Sequence, residues 1–155
     1  MHALCTIVAK NMRLVNNIMN EMCDCGNWDY YTIGGRYINC IPVRKNTKQL
    51  FPSPVPIDVP IEVNGFPYAD TLQNNPNCKY VNVARVRNID IQEMQRLDDM
   101  HLLNAYKPYS FILCENENEC WQERLIENEG NLRLLEFIRE PRHSFYYVVT
   151  VDYHF

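Results

Sequence analysis

Asp152 and His154 stand two residues apart near the end of the chain, and the stretch from Trp28 to Tyr37 reads Trp-Asp-Tyr-Tyr-Thr-Ile-Gly-Gly-Arg-Tyr. On a strand, residues two apart emerge on the same face. An Asp beside a His is the pair that orients an imidazole, a group whose ordinary titration near neutrality suits it to proton transfer. The ten-residue stretch crowds aromatic rings, a carboxylate, a guanidinium and two adjacent glycines together. Paired glycines in a strand-like context cost stability, so they point to a backbone that is closely approached or takes a positive φ. Bare amides at Gly34 and Gly35 could meet an anion that Arg36 clamps bidentately. Trp28, Tyr30, Tyr31 and Tyr37 offer flat faces to a base or ring, and Asp29 could accept from a ribose hydroxyl or pair with Arg36. The expected ligand-binding set is therefore Trp28, Asp29, Tyr31, Gly34, Gly35, Arg36, Asp152 and His154, with no residue assigned to catalysis. The plainer alternative is a structural bulge, with Arg36 bridged to Asp29, the aromatics in the core, and Asp152 and His154 on the solvated face of a strand.

Other chemistry is thinly supported. His2, Asp152 and His154 are ligand types for zinc or manganese, but no spacing fixes their geometry, so neither a metal nor a cofactor is expected. Cys23-Asp24-Cys25 is too tight for half of a zinc site, and the seven cysteines are odd in number and scattered, which reads as reduced thiols. No phosphate-loop, kinase or serine-elbow pattern is present.

The positioning elements follow from periodicity. Residues 3–9 are an apolar run rich in β-formers, expected as a buried first strand. Asn11 can cap a helix in which Leu14, Val15, Ile18, Met19 and Met22 share one face, with Gly26 ending it. A second strand is expected around residues 37–41, with the glycine pair inside or just before it. From Pro42 to about Asn77 prolines cluster, including Pro52, Pro54, Pro56 and Pro60, and a long insertion or lid is expected rather than regular structure. Tyr80–Val86 could form a short strand, Asp90 starts a helix, and Tyr109–Cys114 with Cys120–Arg124 reads as a hairpin. Leu132, Leu135 and Ile138 mark another helix ended by Pro141, and residues 144–155 form the strongest strand signal. If that strand pairs with the first, His2 and Thr6 share a face with Thr150, Asp152 and His154. The expected fold is α+β, a ferredoxin-like (split βαβ) antiparallel sheet with helices on one face, in a single domain over 1–155 with the Pro-rich insertion at 42–77.

These motifs resemble a family of small, mostly uncharacterised phage and prophage proteins. Its marks are an aromatic-Asp-aromatic-aromatic-x-Ile-Gly-Gly-Arg-aromatic run, here Trp28 to Tyr37, and a mid-chain hairpin ending in Trp, here Phe111–Glu123 with Trp121. A final strand close to Val149-Thr150-Val151-Asp152-Tyr153-His154-Phe155 and a linking segment at Arg85–Asp90 complete the likeness. Tyr37 replaces a frequent Trp, Tyr153 replaces a Cys, and the proline-rich insertion is a departure. The resemblance implies phage origin and an α+β domain.

With 155 residues, 46% hydrophobic and 22% charged residues, and a net charge of -4, the chain reads as an ordinary globular protein. An acidic balance argues against sequence-independent nucleic-acid binding. No apolar run is long enough to span a bilayer and the start lacks a signal-peptide pattern, so a cytoplasmic protein of the host cell, with no membrane partner, is expected. The expected function is a phage accessory protein that sequesters a small anionic, nucleotide-like ligand, such as an immune signal, to counter host defence. The alternatives are a nucleotide phosphodiesterase or hydrolase using Asp152 and His154, with Arg36 for charge stabilisation, or an inhibitor docking on a host defence protein. A homo-oligomer packed through the insertion is also allowed.

Overall fold

The structure is a computed structural model that describes residues 2–35, 40–48, 62–63, 66–67, 75–99, 109–115, 124–125 and 132–155. The first strand, β1, spans His2–Ala9, and every residue from Ala3 to Ala9 is buried. Such a run has no solvated side, so both faces of β1 must be covered. Helix α1 (Met12–Asp24) covers one of them. Asn11 caps it by accepting from Leu14 N at 2.9 Å, and Leu14, Val15, Ile18, Met19 and Met22 form its buried stripe. Past its end, Gly26 takes φ 82.

The strands that follow are β2 (Tyr30–Ile33), β3 (Ile41–Arg44), β4 (Glu62–Val63), β5 (Phe66–Pro67), β6 (Cys78–Val81) and β7 (Val83–Arg85). Helix α2 (Ile91–Asp99), strands β8 (Tyr109–Cys114) and β9 (Arg124–Leu125), helix α3 (Leu132–Arg139) and strand β10 (Tyr147–His154) complete the order. The main sheet runs β2-β10-β1-β8-β9, with β7 pairing the other half of β10's outer edge. β1 is antiparallel to β10 and parallel to β8, so the sheet is mixed.

Two core layers flank this sheet. Ala3, Cys5, Ile7, Val149, Val151 and Tyr153 pack with α1, while Leu4, Val8, Phe111 and Val148 pack with Met94 and Leu97 of α2 and Leu134, Leu135 and Ile138 of α3. The fold is thus α+β, but two features of the expected ferredoxin-like arrangement are corrected. The helices lie on both faces, because β1 is buried on both and Val148 at the start of β10 packs with α2 and α3. The sheet is also not wholly antiparallel: β1 and its parallel partner β8 are direct neighbours, whereas a split unit holds a strand between them.

The predicted mid-chain hairpin forms as β8 with β9, pairing Ser110 with Leu125 and Phe111 with Arg124. Residues 120–123 of the expected second strand, Trp121 among them, lie outside the described residues. The proline-rich segment also starts later than expected. Ile41–Arg44, with Pro42 opposite Tyr80, pairs with Cys78–Val81 as a two-stranded ribbon that ties the segment's ends together. The expected single strand at 80–86 divides at Asn82, so β6 joins the ribbon and β7 joins the main sheet.

A buried carboxylate anchors the ribbon to α2. Glu93, 3% exposed, accepts from Asn75 Nδ2 at 2.8 Å, Tyr80 Oη at 3.0 Å and Arg96 Nε at 2.9 Å. Burying a charge this deeply is costly unless it is paired and hydrogen-bonded, which Glu93 is. Arg96 chiefly, with Asn75 and Tyr80, holds the Glu93 carboxyl below its ordinary range. Asp90 caps α2 by accepting from Glu93 N at 3.0 Å, and also accepts from Cys78 Sγ at 3.2 Å. Among the described residues no two cysteines are joined in a disulfide. No described helix is long and apolar enough to cross a membrane.

Candidate functional site

Three strands bring the site together. In the register of β2, β10 and β1, Tyr30 lies opposite His154, and His154 lies opposite His2. These three rings therefore form one row across the end of the sheet, on one face. One step inward, Thr32, Asp152 and Leu4 form the next row. The expected sharing of a face by His2, Thr6, Thr150, Asp152 and His154 follows from this register. That face is covered rather than open at its centre: Thr6, Thr150 and Asp152 are 2%, 3% and 5% exposed.

Each imidazole is held by a carboxylate. His2 Nδ1 lies 2.8 Å from Asp152 Oδ1, and His154 Nδ1 lies 2.9 Å from Asp29 Oδ2. The backbone supports the second pair, because Asp29 N donates to His154 O at 2.7 Å. A carboxylate oxygen accepts, so each neutral ring meets its contact by carrying the proton on Nδ1. In that tautomer His2 Nε2 accepts from Tyr30 Oη, 3.3 Å away. The two imidazoles meet edge to face with centroids 5.3 Å apart, and the Tyr30 ring lies parallel to His154 at 5.1 Å. Tyr30 is half-exposed.

The glycine pair has a different task from the one expected. Gly34 and Gly35 do take positive φ values of 76 and 54. Their amides, however, are spent inside the fold: Gly34 N donates to Thr150 O at 2.9 Å, and Gly35 N to Ile33 O at 3.0 Å. They form no anion cradle. What needs glycine here is close packing, since a Cβ on Gly34 would lie 2.6 Å from Asn82 Nδ2 and one on Gly35 2.5 Å from Asp152 Oδ2. The pair seats Asn82 and Asp152, and through Asp152 it fixes His2.

The eight residues expected to bind ligand thus separate. Asp29, Gly34, Gly35, Asp152 and His154 converge on one end of the sheet. Trp28 and Tyr31 lie on the opposite face: Trp28 is 2% exposed and stacked on Tyr153 at 4.4 Å, and Tyr31 Oη donates to Asn20 on α1 at 2.6 Å. Trp28 is core against α1, and the partly buried Tyr31 packs against that core. Arg36 and Tyr37 lie outside the described residues. The partners also differ from the expected ones, because Asp29 holds His154 and Asp152 holds His2. Tyr30 and His2 were legible by residue type but not as members of one chain of hydrogen bonds, and no signal marked Asn82. Among the described residues, no group of three or more His, Cys, Asp or Glu is arranged to hold a metal ion.

No protein-family model, curated protein or solved structure matches this chain. Two imidazoles with Nδ1 fixed, one exposed aromatic ring and a buried carboxylate behind them make an arrangement suited to proton transfer.

Proposed function

We propose that the His2–Tyr30–His154 cluster is a general acid–base site acting on a small nucleotide-like phosphodiester. His154 serves as acid or base with Asp29 orienting its ring, and the parallel Tyr30–His154 pair offers a face to a base or sugar ring. The observation that carries this reading is that two imidazoles, each tied to a carboxylate through Nδ1, stand 5.3 Å apart beside a half-exposed tyrosine. Arg36, two residues beyond Gly34, is the cation we assign to charge stabilisation.

The half-exposed Tyr30 ring favours a second reading, in which a phage accessory protein captures a small anionic ligand such as a nucleotide signal of host defence. That reading lacks the glycine-amide cradle.

Incubation with cyclic and linear nucleotides, followed by heat denaturation and analysis of the small molecules, separates the two. Shortened nucleotide is the expected result, with His154→Ala lowering turnover by about a hundredfold or more while binding persists. Intact ligand recovered only after denaturation would favour capture. No interaction with any nucleotide would overturn both and leave docking on a host protein.

A further inference from the structure

The chain of hydrogen bonds from Asp152 through His2 ends on a hydroxyl, and that terminus is unused by the acid–base reading. We propose that Tyr30 is the nucleophile of the site, forming a covalent phosphotyrosyl intermediate with a phosphodiester substrate; this deepens, and rests on, the acid–base reading. A side-chain nucleophile is recognised by a hydrogen bond to a base that a third group orients. Here Tyr30 Oη meets His2 Nε2 at 3.3 Å, and His2 Nδ1 meets Asp152 Oδ1 at 2.8 Å.

The supporting frame is rigid at each link. Asp152 is 5% exposed, one row in from the end of the sheet, and pressed against Gly35. His2 and Tyr30 sit on the strands that flank His154, all in one register row. Burial grades outward along the chain, from Asp152 through His2 to Tyr30, which is half-exposed and reachable by an electrophile.

In the first step a bond forms between Tyr30 Oη and phosphorus while the ester phosphorus–oxygen bond breaks. The phenolic proton moves to His2 Nε2, and Asp152 stabilises the imidazolium. His154, in its protonated form, gives its proton to the departing oxygen on the far side of phosphorus. In the second step water attacks the phosphotyrosyl phosphorus from that side, His154 takes a proton from the water, and the Tyr30–phosphorus bond breaks. His2 returns the proton to Tyr30 Oη. The balance is one diester and one water giving one monoester and one alcohol.

An aryl sulfonyl fluoride tests the nucleophile directly, because a tyrosine oxygen displaces fluoride from sulfur while a neighbouring base takes its proton. The full chain is treated with the reagent and the modified tyrosines are mapped by peptide mass spectrometry. Tyr30 is expected to be modified ahead of every other tyrosine, and His2→Ala is expected to slow it by about a hundredfold. Tyr30→Phe is expected to remove that adduct and to abolish phosphodiester turnover, with the circular dichroism of both variants unchanged. Modification of Tyr30 at the pace of the other tyrosines, a rate unchanged in His2→Ala, or full turnover by Tyr30→Phe would overturn the proposal. Labelling needs no nucleotide, so selective His2-dependent labelling without turnover supports the nucleophile while defeating only the phosphodiesterase reading.

Discussion

Gly35 and Asp152 are packed so closely that a Cβ on the glycine would lie 2.5 Å from the carboxylate's Oδ2. This contact links the Gly-Gly motif to the acid–base cluster without any ligand. The motif's role is to let the backbone at Gly35 lie directly on a buried carboxylate.

Gly35→Ala is expected to cost about 1–3 kcal/mol, since it adds a left-handed penalty to a clash with a buried side chain. Urea denaturation measures the loss. The same variant should disturb the His2 ring, visible as a shift of its NMR signals. A stability change near zero would show that Asp152 does not depend on Gly35.

Trp28 and Tyr30 are two residues apart in sequence and on opposite faces, so their substitutions should separate stability from function. Trp28→Ala is expected to destabilise by about 3–5 kcal/mol, as for a buried aromatic in a core. Tyr30→Phe keeps the ring and should change stability by about 1 kcal/mol or less. Equal losses from both in urea titrations would contradict the two-face assignment.

This division shows what the sequence could and could not carry. Alternation along residues 149–155 correctly separates Asp152 and His154 from Val151 and Tyr153, because a period of two is a local property. The pairing of His2 with Asp152 needed only the assumption that the first and last strands are neighbours. Burial of Trp28 was not legible, since one tryptophan in an aromatic run can face either way. The amide partners of Gly34 and Gly35 were equally hidden: they come from Thr150, far along the chain, and from Ile33 in a tight local turn. The two-sided helix packing was foreshadowed by the unbroken apolar run of β1, which a half-exposed sheet does not need.

Stability should fall at both ends of the pH scale, through the Glu93 node and its neighbours. Arg96 holds the Glu93 carboxyl below its ordinary 4.5, so its contribution is complete above that value and is lost as pH falls beneath it. Burial, with Asp90, pushes the Cys78 thiol from 9.0 up to about 12, and burial also raises the Tyr80 hydroxyl. The unfolded thiol therefore ionises first, and stability declines as pH rises from 9.0 toward 12. Urea midpoints measured across pH check both limbs, and Glu93→Gln should flatten the acid one.

The same burial predicts thiol selectivity. Cys25 is exposed, whereas the Cys78 thiol is bonded to Asp90 and scarcely ionised at neutral pH. Iodoacetamide in the native state should modify Cys25 well before Cys78. The reverse order by mass spectrometry would show that the β3–β6 ribbon opens readily.

The central claim is that two carboxylates fix two imidazoles through Nδ1 at one end of the sheet. Long-range proton–nitrogen correlation of labelled protein, at a pH where the rings are neutral, reads this directly. The account predicts a protonated Nδ1 and a bare Nε2 for both His2 and His154, with the pattern lost at His2 in Asp152→Asn and at His154 in Asp29→Asn. Protonation of Nε2 in the neutral rings, the tautomer favoured by free histidine in water, would contradict it.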